Sequence, residues 1–84
     1  MTDAAKENLK RFNAVFSRSL QLDAAEIPDT LSMDAVPSWD SFNSLLLISE
    51  LEKEFKIRFL PADIQIVKNV ADLKAGLRKN KIEI

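Results

Sequence analysis

A single glycine in 84 residues, Gly76, restricts what this chain can fold into more than any other feature. Tight hairpin turns draw on glycine, which adopts positive φ without steric cost. Only three prolines accompany it, Pro28, Pro37 and Pro61, so the chain reads as helices joined by polar loops. Leu9, Phe12, Val15, Phe16 and Leu20 recur at steps of three and four, the mark of an amphipathic helix. It is expected from about residue 3, with Asp3 as N-cap, to about residue 20.

Residues 21–40 lack periodicity and hold Pro28, Pro37 and four aspartates. A loop of that length in a small domain usually has a function or is pinned by its own apolar residues. Ile27, Leu31 and Met33 are the expected pins. A second helix is expected over residues 41–55, with Phe42, Leu45, Ile48, Leu51 and Phe55 inward. Asn43, Leu46, Glu50, Lys53 and Glu54 would face outward. Ile57 and Phe59 turn inward in the following connector. Pro61 opens a short helix to about residue 66, and Asn69 with Asp72 resembles a capping box for a last helix over about 70–79. Val70, Leu73 and Leu77 would be its buried side. The tail "KNKIEI" is expected to fray over residues 80–84. The fold class is therefore all-α: one domain over residues 1–84, a small irregular four-helix bundle of three principal helices, one short helix and a long first loop.

Composition narrows the chemistry. With no cysteine and no histidine, the chain lacks disulfides, thiolate ligands and the commonest general base. No stretch approaches the ~18 apolar residues of a membrane span, and no charged-then-apolar leader opens the chain. A soluble cytoplasmic protein is expected. The net charge of −1 is unevenly spread. Residues 21–55 hold eight acids (Asp23, Glu26, Asp29, Asp34, Asp40, Glu50, Glu52, Glu54) against Lys53 alone, or −7. Acids gather at helix starts and in loops for structural reasons; they can also steer basic partners. No basic stripe interleaved with aromatics points to nucleic acid.

Ser41 raises the functional question, because Asp40 alone could cap the second helix. A serine nucleophile needs a base and a group to orient that base. The only lysine of this helix is Lys53, three turns away on the outer face. Paired carboxylates would need a walled cleft that so short a chain can scarcely build. No catalytic or metal-binding set emerges, and the expectation is a protein that is not an enzyme. A hydroxyl at a helix N-terminus, among unpaired N–H groups, would instead welcome a phosphoester.

Asp40-Ser41-Phe42 resembles the Asp-Ser-Leu signature of acyl carrier proteins. The resemblance extends through the first helix, the acidic loop and "SLLLISELEKEFKIRF", with acids ahead of Phe55. It continues into "LPADIQIVKNVADL", which looks like the family's short third helix and the start of its fourth. "WDS" is similar to a subset of stand-alone carriers. The resemblance implies that Ser41 carries a 4'-phosphopantetheine arm, transferred from coenzyme A by a phosphopantetheinyl transferase with its own base and magnesium. The arm's thiol would hold acyl groups as thioesters for acyl-activating, acyltransferase or condensing enzymes. Asp40, Trp39 and Phe42 would position arm or partner, with Trp39 partly buried against the first loop. Leu46, Glu50, Glu52 and Glu54 would dock partners. Phe42 departs from the usual leucine, Leu46 stands where many fatty-acid carriers have an acid, and Lys53 reverses a charge. A specialised, monomeric carrier is implied, its cargo open among fatty-acyl, polyketide, aminoacyl and D-alanyl groups. The competing reading is a helical interaction module that is never modified.

Overall fold

The computed structural model describes residues 2–23 and 26–84. Thr2, rather than Asp3, caps the first helix: its hydroxyl accepts from the Ala5 N–H at 3.0 Å. Asp3 takes the first helical position, where a negative charge complements the helix dipole. This helix, α1, spans Asp3–Leu20 and buries Ala5, Phe12, Val15, Phe16 and Leu20; Leu9 is only partly covered. The second helix, α2, spans Ser41–Phe55 and packs along α1. A short α3, Pro61–Gln65, and α4, Val70–Lys79, complete an all-α, four-helix bundle. No helix among the described residues is long and apolar enough to cross a membrane.

The lone glycine is not used for a turn. Both α1 and α2 end in left-handed residues that carry side chains, Gln21 (φ 54°) and Lys56 (φ 55°). Leu22 N–H then bonds the Ser17 carbonyl at 2.8 Å, and Ile57 N–H the Glu52 carbonyl at 3.1 Å. These six-to-one bonds satisfy carbonyls that a helix end leaves open. Gly76 instead lies inside α4, where a Cβ would collide with the Phe59 ring. Its role is close approach.

The inward face of α2 differs from the expected one. Ser44, Leu47, Ile48, Leu51 and Phe55 are buried, while Phe42 and Leu45 are exposed at 69% and 56%. The reason is helical drift. Each three-residue step falls about 60° short of a full turn, so Phe42 and Leu51 point to nearly opposite sides. Leu47, next to Leu46, takes the core position.

The long first loop is pinned more thoroughly than its sequence suggests. Ile27 and Val36 are buried, and Leu31 and Met33 pack partly against the core. Residues 33–35 form one 3₁₀ turn. Backbone bonds stitch the loop to the start of α4: Met33 N–H to Lys68 O, Val70 N–H to Leu31 O, and Ala71 N–H to Asp29 O. Lys74 is buried and donates to Asp29 at 2.6 Å. In the connector, Phe59 is buried and Ile57 partly so. Asn69 caps α4 by accepting from Asp72 N–H at 2.9 Å, and Asp72 reaches back to Lys68 N–H at 2.9 Å.

Residues 80–84 carry specific contacts where fraying is expected. Ile82 and Ile84 pack partly against the core. Arg78 donates twice to the Ile84 carbonyl, and Asn8 donates to the Glu83 carbonyl at 2.8 Å.

Candidate functional site

Trp39, Asp40 and Ser41 leave the loop with three different fates. Trp39 is 2% exposed, fully buried rather than partly. Its ring meets Phe16 edge-on, with centroids 5.2 Å apart. The indole N–H finds no hydrogen-bond partner among the described residues. Trp39 therefore acts as a core anchor for the end of the loop, and it does not line the cleft described below.

Asp40 is the N-cap of α2: its carboxylate accepts from Asn43 N–H at 2.8 Å. Asn43 in turn donates from its amide to the Ser38 carbonyl at 2.8 Å, and the Ser38 hydroxyl donates to Leu20 O at 2.8 Å. The entry into α2 is thus tied both to its own first turn and to the end of α1. Ser41, the first helical residue, is exposed. With Asp40 as the cap, its hydroxyl is not needed for capping. Helix N-termini present unpaired N–H groups and a positive dipole end, which suit an anionic ester.

Beside Ser41 lies a cleft of about 240 Å³, lined by Met33, Ser41, Ser44, Leu45, Ile64, Gln65 and Val67. The loop, α2 and α3 each supply a wall. None of these residues is a base or an acid, so the cleft cannot activate Ser41 as a nucleophile. Lys53 is twelve residues along α2, about 18 Å by helical rise. Among the described residues no cluster of three or more acids could hold a metal ion. What the geometry offers is an accessible hydroxyl on a rigid helix end, next to a mostly apolar groove. Ser44, Ile64, Gln65 and Val67 escape a reading of the sequence as site residues. One signal was available for Ser44: a small polar residue in register with Ile48 and Leu51, one turn beyond Ser41.

The acids of α2 are engaged within the molecule. Glu54 accepts from the Arg11 Nε at 2.8 Å, and Arg11 also donates to the Glu54 carbonyl and stacks over the Phe55 ring at 4.6 Å. Glu50 sits 3.8 Å from Arg18 and 3.7 Å from Lys53. Glu52 accepts from the Phe59 N–H at 2.9 Å. Phe42 and Leu46, exposed at 69% and 49%, stand one turn apart on the outer side of the helix.

Among solved structures, the chain is similar to one described as "a putative acyl carrier protein" (Rv0033) from Mycobacterium tuberculosis. The two are 30% identical, the match covers 83% of this chain and 93% of that one, and the TM-score is 0.74. No protein-family model and no curated protein matches the sequence.

Proposed function

The chain belongs to the acyl carrier protein family, and from that premise we propose that it carries acyl or aminoacyl groups on a 4'-phosphopantetheine arm esterified to Ser41. The observation that carries this reading is the placement of Ser41: exposed, first in α2, relieved of capping by Asp40, and on the rim of an apolar cleft. When bound, the arm supplies the thiol that this cysteine-free chain lacks, and so a thioester activated for transfer. The chain's own residues present it. Asp40 and Asn43 hold the helix start in one geometry, the N-terminal N–H groups favour the phosphodiester, and Met33, Leu45, Ile64 and Val67 offer apolar shelter.

In this reading the protein is a substrate of other enzymes, not a catalyst, since no base lines the cleft at Ser41. Its partners are a phosphopantetheinyl transferase and enzymes that load or consume the cargo, in fatty-acid, polyketide or a related specialised biosynthesis of the cytoplasm. Coexpression with a promiscuous phosphopantetheinyl transferase, followed by intact-mass spectrometry, tests the reading. The expected result is the gain of one phosphopantetheine, mapped to Ser41. An unmodified interaction module would show no gain.

A further inference from the structure

One wall of the cleft at Ser41 cannot hold itself in place. The helix α3 is five residues long and buries none of them fully; only Ile64 packs partly against the core. Leu60 and Ile66, at its two ends, stand exposed at 62% and 59%. So short a helix has no stability of its own in water. Its place comes from what grips it. Val67 anchors the exit in the core, while the entry and the middle are gripped by α4.

The entry is held at Phe59. Its ring is buried and lies against Gly76, so close that a Cβ there would collide with it. The Phe59 N–H is bound at the same time by the Glu52 carboxylate at 2.9 Å. With ring and backbone both fixed, Leu60 and Pro61 start α3 from one point. The middle is held at Asp63, whose carboxylate accepts from Lys79 Nζ at 2.7 Å. That carboxylate is 13% exposed against 60% for the lysine side chain, and an acid so covered needs its partner. Gly76 and Lys79 are three residues apart on α4, hence on one face. The other two walls are locked separately. Backbone bonds tie the loop to the start of α4, and α2 packs along α1. Outward movement of α3 is therefore the motion that would enlarge the cleft.

Resting on the carrier reading, we propose that Gly76 and Lys79 determine how large a group the cleft beside Ser41 admits, by fixing α3 through Phe59 and Asp63. Both are positioning residues; neither lines the cleft.

The chain has no cysteine, so one introduced thiol can report on the cleft. Ser44 lines it and is buried, and Ser44→Cys places a thiol there with little change of shape. Alkylation of the full chain by iodoacetamide and by a pyrenyl maleimide compares a small entrant with a bulky one. Adding Gly76→Ala is expected to raise the maleimide rate at least about tenfold and the iodoacetamide rate less than about threefold. A further Phe59→Val, lacking the ring atoms that the Cβ would meet, is expected to restore the maleimide rate to within about threefold of the Ser44→Cys chain. Lys79→Gln is expected to raise that rate about threefold to fivefold, and Lys79→Arg to stay within about twofold. Asp63→Asn should add nothing to Lys79→Gln, since both break one pair. Thr2→Ala removes the α1 cap, which lines no part of the cleft, and is expected to leave both rates within about twofold.

A maleimide rate unmoved by both Gly76→Ala and Lys79→Gln would overturn the inference, because α3 would then be held without α4. So would an equal rise with Thr2→Ala, which would mean that the cleft opens only as the whole chain loosens. Should Gly76→Ala fail to fold by circular dichroism, the Lys79 and Asp63 variants decide alone. The labelling needs no arm, so its failure is distinct from failure of the carrier reading. That failure shows as an unaltered chain that never gains phosphopantetheine.

Discussion

In residues 47–55 of α2 the large apolar side chains Leu47, Ile48, Leu51 and Phe55 are buried, and the acids between them are tied to α1 or to the connector. In residues 41–46 of the same helix, Phe42, Leu45 and Leu46 stand in solvent and the buried position belongs to Ser44. Both halves are rich in leucine and phenylalanine, so composition does not separate them. What separates them is helical phase: Phe42 and Leu46 share the outer face that carries Ser49 and Lys53 in the second half, and of the three exposed residues only Leu45 lines the cleft between the loop and α3. Among the described residues, three of the five exposed large apolar side chains lie in this half, the half that begins at the proposed attachment site.

The sharpest way to break this comparison is Ser41→Ala. It is expected to abolish arm addition entirely, by intact mass. Thermal and denaturant melts should show a change within about 1 kcal/mol, because Asp40 keeps the cap. A variant still loaded would place the site elsewhere. Next in size is Leu51→Ala, which removes a side chain with no exposure and is expected to cost about 2–5 kcal/mol in denaturant unfolding. Leu46→Ala, the same deletion five residues earlier, is expected to stay within about 0.5 kcal/mol. Equal costs for the two would mean that the first half of α2 is covered in solution.

Asp40→Ala separates the cap from the site. Loss of the Asn43 N–H bond is expected to cost about 1 kcal/mol and to slow loading by loosening the helix start that presents Ser41. A full loss of loading with unchanged stability would instead assign Asp40 to the transfer step. A small effect is also expected for Glu54→Gln. Its ion pair with Arg11 is more than one-third exposed on both sides, so the change in stability should stay below about 1 kcal/mol.

Much of this was readable from residues alone, and for definite reasons. Pro61 and Asn69 announce helix starts because each meets a local requirement at the first turn: a fixed φ in one case, an acceptor for Asp72 N–H in the other. Asp40 as cap and Ser41 as an exposed first-turn residue follow from the same local chemistry. The order and type of the helices did too, since apolar periodicity is a property of neighbours in the chain.

Other features depended on what came to lie opposite. The inward arc of α2 was open to misreading, because Phe42, Leu45, Ile48 and Leu51 at three-residue steps drift half-way round the helix. Leu47 lies nearer to Leu51 than Leu45 does, and it is the one that is buried. The burial of Trp39 was decided by the Phe16 ring across from it. The balancing of Glu50 and Glu54 was decided by Arg18 and Arg11 on another helix. The −7 of residues 21–55 was a true count of charge. Where that charge would act depended on side chains more than thirty residues away, brought close only by packing. The sequence alone determined local structure and put Ser41 at the start of α2, behind its cap. Tertiary structure decided which apolar surface stayed open beside it, because burial and pairing belong to pairs of elements rather than to one.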